Sequence, residues 1–241
     1  MGKKQNYGRK RFIKEELPHL LTNDNFDFNK IIEMSKALDI EASSYSTIAL
    51  SMACATLDNE TLNKVKKVSG MSYYENYRQE WVNELKEKAK NGDTNAQKKL
   101  TELEKLGEKQ VQNALKYGAI NWYDWSLKNW GTKWNACETE IGDNYFTFET
   151  AWSSPVPLFE ALTRKFPSYR FMFQWSDEDL GSNVGWIGAQ NGKIDFQGSF
   201  EDCSEDAYKL ACDLWDLDFN SVWEDTKCNN CNNEETQELC C

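Results

Sequence analysis

The residue types that most often carry chemistry are few in this 241-residue chain and poorly placed for it. His19 is the single histidine. Serine and cysteine nucleophiles usually need a His partner, and His19 sits beside Pro18 near a run of cations, with no nucleophile in local register. It reads as a surface or packing residue, and histidine-based hydrolysis is not expected. Cys228 and Cys231 make one C-x-x-C pair, followed by adjacent Cys240 and Cys241. A structural zinc site normally takes two such pairs, and neighbouring thiols bite a tetrahedral ion poorly, so the four read as a reduced tail without metal. The acidic loop Asp177–Asn183 resembles a calcium loop in composition alone. Its Gly181 stands one position early, and Gly188 occupies the place of the bidentate Glu, so it reads as a solvated turn. No catalytic residue, metal or other cofactor is expected.

Two other groups suit binding. Trp122, Trp125, Trp130 and Trp134 crowd the segment Asn121–Trp134. Exposed indoles would stack on bases or anchor a partner, whereas their spacings of three and four suit side chains pointing into a core. The acids Glu201, Asp202, Glu205, Asp206, Asp213, Asp216, Asp218, Glu224 and Asp225 form either a solvated face or a surface that imitates a row of phosphates. Net charge is −11 and uneven: residues 1–20 sum to +4, residues 199–241 to −10. Such acidity argues against direct nucleic-acid binding, which rests on Lys and Arg, and permits a basic protein partner or nucleic-acid mimicry.

Elements must hold these residues in place. The length suffices for a large domain or a domain with an insertion, and ten Trp, ten Tyr and twelve Phe speak for a folded core. No apolar run approaches the roughly 18 residues of a membrane span, and MGKKQNYGRKRF has no apolar stretch behind its charges. A cytoplasmic protein is expected, with Cys54, Cys137, Cys203 and Cys212 reduced. Residues 1–25 form a basic arm with a short helix. Phe26–Met34, FDFNKIIEM, alternates like a short strand running into a turn. Residues 41–120 read as an all-helical insertion. Tyr45, Ile48, Ala49, Met52, Ala53 and Thr56 share a face; a second helix spans Asn59–Val68 and is closed by Gly70. Ser72 and Glu75 form a capping-box pattern for a third, and Asp93 caps a fourth that stops at Gly107. Gly131 is a further helix stop.

Glu138–Ile141 and Tyr145–Trp152 read as a hairpin in which Phe146, Phe148, Thr150 and Trp152 share a face. Pro155 and Pro157 open a helix through Leu158, Leu162 and Phe166. Tyr169, Phe171, Phe173 and Trp175 alternate strictly as a strand, and Val184–Gln190 with Lys193–Gln197 makes a second hairpin around Asn191-Gly192. A helix near Glu205–Trp215 and a polar tail close the chain. The class is α+β: an antiparallel sheet with helices on one face, plus the helical insertion.

FDFNKIIEM, WYDWSLKNWGTKWNACETEI, FTFETAWSSPVPLFEALTRKFPSYRFMF and GWIGAQNGKI together resemble the YubB-type ferredoxin-like domain family. The resemblance covers roughly residues 26–34 and 121–194; the opening NxLxVxG-like strand of that family is replaced here by the basic arm. It implies a ferredoxin-like domain over 26–40 and 121–198 and an origin on a phage, plasmid or integrative element; the helical block 41–120 and the acidic C-terminal helix and Cys-containing tail over 199–241 lie outside the shared motifs. It carries no activity. The resulting expectation is a non-enzymatic anti-defence protein that inhibits a host protein, for instance a CRISPR effector or a nucleotide-signalling immune protein, through a protein–protein surface. The alternative is a protein that sequesters a nucleotide or other small ligand on the Trp cluster.

Overall fold

The structure is a computed structural model that describes residues 12–69 and 77–231, with side chains to residue 226. The chain divides into two compact units, one built from the chain up to Ile31 and from Ala136 onward, the other from Ile32–Asn135.

The second unit is helical: α1 Ser44–Cys54, α2 Asn59–Ser69, α3 Gln79–Lys90, α4 Thr94–Tyr117 and α5 Trp122–Asn129. Local polar residues start most of them. Ser43 and Ser46 form a reciprocal capping box on α1. The Asp58 carboxylate accepts the backbone N–H groups of Glu60 and Thr61, and Thr61 chiefly holds its pKa below the ordinary value. Asp93 caps α4 as expected, accepting from Asn95 and Ala96. The expected stop at Gly107 is not found, for α4 runs unbroken over 24 residues to Gly118, whose φ of +65° ends it. Gly107 serves packing instead: a Cβ there would collide with the Ala49 carbonyl of α1. The pair Ser72 and Glu75 lies outside the described residues, and α3 starts at Gln79 after Arg78 in a left-handed conformation.

Helix α1 is central to this unit. Ile48 and Ala49 pack with Val82, Leu85, Leu100 and Leu103 of α3 and α4, while Leu50 packs with Val65, Val111 and Ala114 of α2 and α4. It therefore buries two faces, where its sequence pattern suggested one. Residues 121–135, expected beside the sheet, stand in this helical unit. Trp125 and Trp130 meet edge to face at 5.4 Å, and the Trp130 indole N–H donates to the Ile32 carbonyl at 3.0 Å.

The first unit is α+β. A tight hairpin, β1 Leu21–Thr22 with β2 Asn25–Phe26, precedes a larger one, β3 Cys137–Ile141 with β4 Phe146–Glu149. Helix α6, Val156–Lys165, leads to β5 Arg170–Trp175, β6 Gly185–Gln190 and β7 Lys193–Ser199, an antiparallel sheet in the order β5-β6-β7. Helices α7 Glu205–Leu214 and α8 Phe219–Cys231 follow. The second hairpin is as expected, with Asn191 and Gly192 both at positive φ in a two-residue turn.

Three local expectations change. In FDFNKIIEM only Phe26 lies in a strand, because the Asp27 carboxylate accepts the Asn29 N–H and winds Phe28–Lys30 into a 3-10 turn. Phe26 and Phe28 are nevertheless buried, packed on Phe148; their alternation recorded burial, not strand. Strand β4 ends at Glu149, so Trp152 leaves its face, with φ +61° and 77% exposure. The segment after Asp218 is helical because Phe219 and Trp223 stack on one another and Trp223 reaches Tyr208 of α7.

The sheet's strict alternation sorts its two faces. Phe171, Phe173 and Trp175 of β5 and Ile187 and Ala189 of β6 pack beneath Phe159 of α6. Phe12 joins this aromatic core through Phe146, Phe166, Tyr169 and Phe171. Helix α7 is held by Ala207 and Ala211 against Val184. Among the described residues no helix is long and apolar enough to cross a membrane.

Candidate functional site

Ser204 starts α7 by accepting the Ala207 N–H at 3.2 Å. Once Ala207 and Ala211 are buried, the remaining faces of the helix turn outward. All nine sequence-predicted acids, Glu201, Asp202, Glu205, Asp206, Asp213, Asp216, Asp218, Glu224 and Asp225, are exposed. Two of them also shape the backbone: Asp202 accepts the Asn183 N–H at 2.9 Å, and Asp218 accepts the Ser221 N–H at the start of α8. Lys209 is the only cation between residues 199 and 226. It bridges to Glu205 at 2.7 Å and Asp206 at 3.5 Å, and the Glu205 hydrogen bond first among these raises its pKa. The acids thus form a surface whose internal cation is already engaged.

This surface borders a groove that the sequence reading missed. On the sheet face opposite α6, Met172 and Gln174 of β5, Trp186 of β6 and Phe196 of β7 lie side by side. Phe200, Asp206, Lys209 and Leu210 complete an open groove of about 360 Å³. Gly188 makes the floor flat, since the Phe196 ring lies where a Cβ of residue 188 would project. Arg170 stands over the Phe196 ring at 5.6 Å and pairs with Asp195 at 3.1 Å. The signal was present in the second residue of each pair, Phe171/Met172 and Phe173/Gln174, but alternation marks two faces without saying which one a helix covers.

The aromatic cluster is split. Trp125 and Trp130 are 6% and 3% exposed, so they are core residues and offer no stacking face; Trp122 is half-buried. Trp134 is exposed, with the Lys133 ammonium over its ring at 4.1 Å. The four indoles do not form one platform, because the helical spacing that groups them also turns two of them inward.

His19 is exposed in a 3-10 turn, Leu17–Leu20. In the loop Asp177–Asn183, Tyr208 packs on Gly181, and among the described residues no group of three or more His, Cys, Asp or Glu is placed to hold a metal ion. Cys54, Cys137 and Cys212 form no disulfide. Burial first, then neighbouring carboxylates, push the thiols of Cys137 and Cys212 above the ordinary value, opposite to an activated nucleophile. Cys203, expected to be reduced, is disulfide-bonded. The side chains of Cys228, Cys231, Cys240 and Cys241 lie outside the described residues.

No curated protein and no solved structure matches the chain. Residues 129–218 match the family model of the ferredoxin-like domain in Api92-like protein. That match takes in the whole groove and the acids from Glu201 to Asp218, so both belong to a ferredoxin-like α+β domain.

Proposed function

We propose that this chain is a non-enzymatic binding protein of a mobile genetic element, which inhibits a host defence protein through the acidic surface of α7 and α8. The observation that carries the reading is the exposure of all nine carboxylates around a single, internally paired lysine. A basic partner gains favourable long-range attraction from such a field, and like-charged molecules are turned away. The nine acids stand in for a nucleic-acid backbone, so the partner is a defence protein that itself handles nucleic acid, such as a CRISPR effector. The mobile-element setting rests on the resemblance of WYDWSLKNWGTKW and TAWSSPVP to the YubB-type family.

The test is a pull-down of the tagged full chain from host lysate, with bound proteins identified by mass spectrometry and bound nucleotide assayed in the same eluate. The expected result is one stoichiometric host protein, lost when the nine acids are changed to Asn and Gln and displaced by added DNA. A retained nucleotide without a protein partner would transfer the assignment to ligand sequestration. Turnover of nucleotide or nucleic acid, abolished by alanine at the carboxylates, would end the non-enzymatic reading.

A further inference from the structure

We propose that the groove between β5–β7 and α7 receives one large apolar side chain from a basic segment of the partner, flanked by Lys or Arg residues on the groove's carboxylates. This rests on the acidic surface being the binding face, and adds the anchor and the chemistry of the segment. Met172 and Phe196 are 44% and 39% exposed on a sheet face that α6 leaves uncovered, beside Trp186, Phe200 and Leu210. Contiguous apolar surface of this kind, rimmed by charge, fits an anchor side chain from a protein partner.

The rim decides the charge of the occupant. Its cations are already committed, Arg170 to Asp195 and Lys209 to Glu205 and Asp206. Three carboxylates therefore face two cations, and Asp213 of α7 continues the negative field along the helix. A phosphate would have to compete with these carboxylates for Arg170 and Lys209. An incoming Lys or Arg meets carboxylates directly, which makes a cationic segment the complementary occupant. The groove is open and shallow, so it suits a side chain delivered by a partner backbone better than a small molecule that must be enclosed on most sides.

Fluorescein-labelled peptides RKFKR and RKSKR, which differ only in the central side chain, test this by fluorescence anisotropy with the full chain. RKFKR is expected to bind about tenfold more tightly than RKSKR. Met172→Glu should remove that preference while its added carboxylate strengthens RKSKR binding, with near-ultraviolet circular dichroism confirming that the variant is folded. Glu205→Gln with Asp206→Asn should weaken both peptides. If both peptides bind equally and Met172→Glu changes neither, the groove is not the anchor, while the acidic-surface reading stands. If neither binds, both fall. If sedimentation shows a dimer that Met172→Glu converts to monomer, a second copy fills the groove and the proposal is overturned.

Discussion

Gln110 is 1% exposed in α4, and among the described residues neither its amide nitrogen nor its amide oxygen has a hydrogen-bond partner. An orphaned buried amide costs about 1–3 kcal/mol. Gln110→Met keeps the volume and drops the polar atoms, so it is expected to raise stability by about 1–2 kcal/mol in urea denaturation; a loss would show that the amide is satisfied in solution. Gly107 gives the opposite case. Alanine there would gain about 1 kcal/mol of helix propensity, but its methyl meets the Ala49 backbone carbonyl, which cannot rotate away. Overpacking of about 1–3 kcal/mol wins, and Gly107→Ala should lower the denaturation midpoint. Asp124 in α5 is pushed above the ordinary carboxyl range by burial. Between the unfolded pKa of about 3.9 and the raised folded value, the native chain holds the extra proton, so stability falls as pH rises through that window. Asp124→Asn should therefore be the more stable form at pH 7, with the difference vanishing in unfolding measured at acid pH. Pattern singled out neither Gln110 nor Asp124 and marked Gly107 only as a helix stop, since burial of a Gln, a Gly or an Asp leaves no periodic trace.

At the scale of elements, the residues that start and turn the chain were legible. Asp93 caps α4, Pro155 and Pro157 flank the start of α6, and Asn191-Gly192 turns β6 into β7. These signals act within a few residues, so they survive without tertiary context. Elements whose state depends on a distant neighbour were misread. Gly107 looks like a helix stop until α1 lies against it, and the stretch after Asp218 looks like a polar tail until Trp223 meets Tyr208. The candidate site divides the same way. The acids of α7 were identified individually, whereas the groove beside them needs β5, β6, β7 and α7 in place together.

For the molecule as a whole, the unit Ile32–Asn135 is one uninterrupted stretch of chain with two apolar clusters of its own. A fragment spanning it should fold alone, giving a helical circular-dichroism spectrum and a cooperative thermal transition; a fragment that melts without a transition would mean that these helices need the rest of the chain. The sequence by itself determined the α+β class, the location of most helices and hairpins, and the charge asymmetry that makes the C-terminal helices acidic, because these follow from local propensity, periodicity and composition. Only the tertiary structure decided that Trp125 and Trp130 are core, that Cys203 is cross-linked, and that the uncovered face of β5–β7 forms a groove beside the acids. Each of those depends on which surfaces of separate elements are brought together, and residues distant in sequence carry no mark of that pairing.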